Sequence, residues 1–131
     1  MARKNRILIV DDDHDILMGV GLRLAVAGYD ILTATDGQEA IQTAIQQCPD
    51  AIVLDIRMPK MDGMTALHHL QKSKTTKRIP IVMLSASLVD QQAALEAGAR
   101  FFLTKPYQGK TLVAALDRVV RGKHSTEGDG R

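Results

Sequence analysis

The feature that most narrows what this chain can fold into is a fivefold alternation of short apolar runs with segments of helical periodicity. Residues 6–10, 29–34, 51–55, 79–84 and 100–103 read as strands, each followed by apolar residues at spacings of three and four. The run Ala51-Ile52-Val53-Leu54 contains no polar residue, so it predicts a central strand covered on both faces, as in parallel sheets flanked by helices.

The helical segments have legible ends. A first helix over 14–27 carries Ile16, Val20, Leu24 and Ala27 on one face and stops at Gly28. Asp36-Gly37-Gln38-Glu39 resembles a capping box, with Ala40, Ile41, Ala44 and Ile45 as the inner face of the helix it opens and Pro49 as the break after it. Met64, Leu67 and Leu70 line a third helix after the Pro59-to-Gly63 turn. An alanine-rich fourth helix spans 88–97 before Gly98, and Leu112, Leu116 and Val119 line a last one that Gly122 ends. Right-handed crossovers leave few arrangements of five such units. The expected fold is α/β: a flavodoxin-like, doubly wound, five-stranded parallel sheet of order 2-1-3-4-5 with helices on both faces. Residues 1–5 form an N-terminal extension, 6–121 one domain, and the polar 122–131 a disordered tail.

With 131 residues there is room for one domain with a core but no second globular unit. No apolar run approaches a membrane span, and the polar, basic residues before Arg6 hold no signal-peptide core, so a cytoplasmic protein without membrane contact is expected. Cys48 alone makes neither a disulfide nor a cysteine metal site and is expected to be a small buried hydrophobe. A net charge of +2 does not argue for direct nucleic-acid binding, and Lys72, Lys74, Lys77 and Arg78 read as a solvated loop.

Polar residues recur where the apolar runs end: Asp11-Asp12-Asp13 after Val10, Asp55 after Leu54, Ser85 after Leu84, and Lys105-Pro106 after the fifth run. In an open parallel sheet the carboxyl ends of the strands border the ligand crevice, and in this strand order the first and third strands lie at the switch point. Carboxylates, a hydroxyl and an ammonium on one sheet edge suit a divalent cation and a phosphoryl group. Singly, the aspartates could cap a helix, Ser85 could close a turn and Lys105 could be solvated. Their coincidence at four strand ends is what carries weight. No phosphate-binding glycine loop, dinucleotide fingerprint or nucleophile elbow occurs.

These motifs, in this order, resemble the receiver domain of bacterial two-component response regulators over residues 6–121. The resemblance implies a phosphoacceptor, Asp55, that takes a phosphoryl group from a sensor histidine kinase or a histidine phosphotransfer protein with Mg²⁺ or Mn²⁺. It implies metal ligation by Asp12, Asp55 and the backbone carbonyl of Arg57, with Asp11 acting through water. Because the strand ends at Val10, Asp13 and His14 are left to start the helix. Lys105, joined to Pro106 by a cis peptide, would face the phosphoryl oxygens. Ser85 would bond one of them once Asp55 is modified, and Phe102 would turn inward as the loop follows. Arg57 and Ser87 fall where the family tunes phosphoryl lifetime. The segment between Ser85 and Lys105 is short for the family, which predicts a displaced or shortened fourth helix.

The same resemblance implies no enzyme beyond self-catalysed transfer to Asp55, and an output surface on the fourth helix, fifth strand and fifth helix for a protein partner or a second copy. Two alternatives are a magnesium-dependent aspartyl-phosphate phosphatase and a pseudo-receiver that is never phosphorylated. The first would carry aspartate where Arg57 stands, and the second would lack polar groups that are all present. His14 reads as a surface residue, His68-His69 as a helix-face pair, and Met58, Met61 and Met64 as packing.

Overall fold

The computed structural model describes residues 4–129, and the side chains of 4–121. Strands β1 (Arg6–Val10), β2 (Asp30–Ala34), β3 (Ala51–Asp55), β4 (Ile81–Ser85) and β5 (Phe101–Thr104) form one parallel sheet. Their order is β2-β1-β3-β4-β5, as the crossover rule predicts. Helices α1 (His14–Val26), α2 (Gly37–Gln47), α3 (Gly63–Lys72), α4 (Gln91–Glu96) and α5 (Gly109–Asp129) cover it.

Alternate strand residues point to opposite faces, which splits the interior into two cores. On one face Leu8, Val10, Ile52, Leu54, Ile81 and Met83 pack against Ala40 and Ala44 of α2, Leu67 and Leu70 of α3, and Ala94 of α4. On the other, Ile7, Ile9, Val53, Val82 and Leu84 meet Leu17 and Leu24 of α1 and Leu112, Leu116 and Val119 of α5. Tyr29, buried just before β2, donates its hydroxyl to the Asp117 carboxylate of α5, and burial together with that partner raises its pKa.

Helix faces needed correction where the sequence reading extended them. Leu17 rather than Ile16 is the buried residue in the first turn of α1, and Ala27 is exposed at the C-cap, because the helix ends at Val26 and Gly28 turns the chain with φ 103°. Ile45 is largely exposed, since Ala40 and Ala44 already bring α2 close to the sheet. Cys48 is exposed, against expectation: it takes the left-handed C-cap position of α2, its amide bonded to Ala44, and the buried Pro49 occupies the interior instead. The expected helix over 88–97 divides into a 3₁₀ turn, Leu88–Asp90, and the six-residue α4; the apolar side chains of that turn, Leu88 and Val89, are exposed and do not anchor it. Helix α5 continues through Gly122 to Asp129, past the stop expected at Gly122. One interior glycine costs a helix only about 1 kcal/mol relative to alanine. Residues 1–3 and 130–131 of the expected extension and tail lie outside the described residues.

The capping box at α2 closes in a shifted form. Asp36 accepts from the Glu39 amide at 2.8 Å, while the Glu39 carboxylate reaches back past it to the amide of Thr35 at 2.6 Å. Asp62 caps α3 through the Thr65 amide. The first helical residue, Gly63, donates its amide to Ile56 at 2.8 Å, and a Cβ there would run into the Asp55 carbonyl and come 2.8 Å from the Ile56 Cα. This close approach fixes the backbone beyond Asp55. Gly63→Ala is therefore expected to destabilise the protein by about 1–3 kcal/mol through overpacking, read as a lower urea midpoint at unchanged slope.

Candidate functional site

Asp11, Asp12 and Asp13 follow β1 in sequence but do three different things. Asp11 is buried, 3% exposed, and its carboxylate accepts from the Asp13 amide at 3.0 Å. Asp12 faces solvent. Asp13 is the N-cap of α1, accepting from Asp15 at 2.9 Å and Ile16 at 3.3 Å, as the register of the apolar strand predicts. Asp55, the last residue of β3, is 4% exposed. One carboxylate oxygen each from Asp11, Asp12 and Asp55 lie within 4.8 Å of one another. Adjacent strands β1 and β3 thus bring together the aspartates singled out from sequence.

Lys105, just beyond β5, reaches into this cluster. Its Nζ is 2.7 Å from Asp55 Oδ1 and 3.5 Å from Asp11 Oδ2, and the Lys105–Pro106 peptide is cis, as expected. Burial pushes the Asp55 carboxyl above its ordinary range. The Lys105 ammonium pulls it back, and the charges of Asp11 and Asp12 add to the rise, so the net shift is upward. For Lys105 burial works downward, but Asp55 and Asp11 together outweigh it and hold the ammonium above its usual value. The cluster holds three carboxylates, two of them within reach of the one ammonium, which leaves an excess of negative charge in a crevice of oxygen donors. Such a donor set fits a hard divalent cation, and neither histidine nor cysteine joins it among the described residues.

Ser85 ends β4, nearly inaccessible at 1% exposure, and its hydroxyl is turned toward the loop that follows. It donates to Asp90 Oδ2 at 2.9 Å and accepts from the Ser87 amide at 3.1 Å. The exposed Arg57 side chain approaches the same Asp90 oxygen at 3.4 Å. Phe102, on β5, is half-buried and packs against the core shared with α2, α3 and α4. His14, His68 and His69 are exposed, as are Lys72, Lys74, Lys77 and Arg78, while Met58, Met61 and Met64 pack on the same core as Phe102. Sequence reasoning missed Asp90 and Tyr107. An acid at the start of a helix reads as a cap, and nothing in its spacing signals that it turns back to Ser85. Tyr107, half-buried two residues past Lys105, has its pKa raised, chiefly by burial and also by the carboxylates of Asp11 and Asp55.

The geometry agrees with what similar proteins are. The family model described as the response regulator receiver domain matches residues 7–117. The transcriptional regulatory protein PrrA of Mycobacterium tuberculosis is 42% identical over 123 residues, covering 92% of this chain and 52% of PrrA. The chain thus spans about half the length of the curated relatives it matches. The chemotaxis response regulator CheY4 of Vibrio cholerae superposes with a TM-score of 0.82 at 34% identity, covering 88% of this chain and 98% of that one. The receiver domain of the sensor histidine kinase PA1611 of Pseudomonas aeruginosa, a structure with magnesium in its active-site cleft, gives 0.83 at 30% identity, covering 89% and 98%. No helix among the described residues is long and apolar enough to cross a membrane. With the match running from β1 into α5, and Asp11, Asp12, Asp55, Ser85 and Lys105 all on the carboxyl edge of a 2-1-3-4-5 sheet, the chain belongs to the response regulator receiver domain family of two-component signalling.

Proposed function

We propose that Asp55 accepts a phosphoryl group from the phosphohistidine of a sensor histidine kinase or phosphotransfer protein, and that the resulting acyl phosphate switches a protein-binding surface. The observation that carries this reading is the Lys105 ammonium 2.7 Å from the buried Asp55, in one crevice with Asp11 and Asp12. A carboxylate oxygen of Asp55 attacks phosphorus in line, an O–P bond forms as the donor's N–P bond breaks, and the departing imidazole takes up a proton. Lys105 holds positive charge against the transferring oxygens, and burial of Asp55 keeps competing water away. Asp12, Asp55 and the Arg57 carbonyl would hold a Mg²⁺ or Mn²⁺ ion, with Asp11 acting through water. That ion supplies charge neutralisation on the phosphoryl oxygens when bound. The magnesium in the PA1611 receiver supports this assignment. The acceptor is the chain's own side chain, so no external substrate is turned over.

Once Asp55 is modified, the Ser85 hydroxyl would turn from Asp90 to bond a phosphoryl oxygen, and the Phe102 ring would follow the loop. The face formed by α4, β5 and α5 is where an output partner or a second copy would read the change. In the test, acetyl phosphate with Mg²⁺ is expected to add one phosphoryl group by intact mass. The group should be lost in mild base, as an acyl phosphate must be, and chelation of the metal should prevent its addition. A chain that gains no mass, or whose adduct survives base, would exclude the reading.

A further inference from the structure

We propose that Asp90 is a positioning residue that competes with the phosphoryl group for the Ser85 hydroxyl, so that it and Arg57 form a latch holding the switch in its resting state. The inference rests on the phosphoacceptor reading of Asp55 and concerns what opposes the switch. Asp90 occupies the residue before α4, where an aspartate ordinarily accepts from the free amides of the helix it opens. Here it makes no such bond and has helical backbone angles, φ −80° and ψ −10°. Its carboxylate is turned back instead, accepting the Ser85 hydroxyl at 2.9 Å and facing the Arg57 guanidinium at 3.4 Å.

Three consequences follow from that geometry. The Ser85 hydroxyl has one proton to donate, and it is given to a carboxylate on the loop side; bonding a phosphoryl oxygen on Asp55 requires that this bond be broken. The pair is not an exposed ornament, since Ser85 is nearly inaccessible and the Asp90 side chain keeps only 20% of its surface. Arg57, two residues past Asp55, joins the phosphoacceptor loop to Asp90, so the latch bridges the loop after β3 and the loop after β4. Modification of Asp55 would then have to outcompete the Asp90 carboxylate for Ser85, which biases the loop toward its resting arrangement until a phosphoryl oxygen is present.

Beryllofluoride with Mg²⁺, a stand-in for the phosphoryl group, tests this on the full chain by amide NMR titration. Asp90→Ala is expected to bind it about tenfold more tightly than wild type. The bond removed has an ionised acceptor, the stronger class, and tenfold corresponds to about 1.4 kcal/mol. Asp90→Asn, which keeps an acceptor but no charge, should lie between. In a Ser85→Ala background the same Asp90→Ala change should lose most of its effect on affinity, since only the exposed Arg57 contact is left to release. Without ligand, the Ser87 amide, which donates to the Ser85 hydroxyl at 3.1 Å, should shift in Asp90→Ala. Unchanged or weaker binding by Asp90→Ala, or a gain that survives in full in Ser85→Ala, would overturn the latch alone. Wild type that binds no beryllofluoride would overturn the phosphoacceptor reading and the latch with it.

Discussion

Asp55→Asn is expected to take up no phosphoryl group from any donor, and to lose the dependence of apo stability on pH that its carboxylate imposes. Asparagine keeps the shape of the side chain and an acceptor for Lys105, but its amide oxygen is too weak a nucleophile to form the acyl phosphate. The stability effect follows from the upward shift of the Asp55 pKa, caused first by burial and then, against the pull of Lys105, by Asp11 and Asp12. A carboxyl whose folded pKa lies above its unfolded value of about 3.8 binds its proton more tightly when folded. The apo protein therefore loses stability as pH rises from that value through the folded pKa, and the loss is constant above it. In Asp55→Asn this step is absent, so the variant should gain on wild type across the window and run parallel to it at higher pH. Lys105 acts in the same direction at higher pH: its raised pKa gives stability that is complete below 10.5 and lost as pH rises through its folded value. Urea unfolding with chelator at several pH values reads the divergence. A pH-independent difference between the two proteins would show that Asp55 is not the group responsible.

Magnesium should raise the melting temperature of wild type by about 10 °C at a hundredfold excess over its dissociation constant. Binding to the folded state alone stabilises by RT ln(1 + [L]/Kd), about 2.7 kcal/mol at that excess, and 1 kcal/mol corresponds to about 4 °C for a chain of this size. Asp12→Asn should remove most of this rise while slightly stabilising the apo protein, because the exposed Asp12 repels Asp55 and caps nothing. Asp13→Asn is the internal comparison. It keeps the N-cap of α1, lies outside the carboxylate cluster, and should retain the full response. A melting curve of Asp12→Asn that still climbs with magnesium as wild type does would remove Asp12 from the ligand set.

The strand order and the edge that holds the site were legible because a run such as Ala51-Ile52-Val53-Leu54 cannot be a solvent-facing strand, and parallel strands with right-handed crossovers leave little freedom. The division of labour among Asp11, Asp12 and Asp13 followed from where the apolar strand stops. The helix faces were read less well. Ala27 and Ile45 fit the helical period, yet which apolar residues are buried depends on how near the helix sits to the sheet, and the alanines of α2 set that distance. Cys48 differs from the expectation because α2 ends on it in a left-handed conformation that leaves its side chain outside, while the next residue, Pro49, is the buried one. The Asp90 contact was out of reach because its partners Ser85 and Arg57 are set by the relative height of two loops, a quantity that no local pattern encodes.

The sheet acts as a partition between two kinds of work. On β5 the neighbours of Phe102 in sequence, Phe101 and Leu103, belong to the core of α1 and α5, whereas Phe102 belongs to that of α2, α3 and α4. A displacement that started at Ser85 and reached Phe102 would thus enter the layer of α2, α3 and α4 first, and would reach α5 only through β5, whose Phe101 and Leu103 pack on the other side. Met83 and Ala94 share the layer of Phe102, whereas Leu24, Leu112 and Leu116 hold the opposite layer together, so the two sides of one sheet carry different loads.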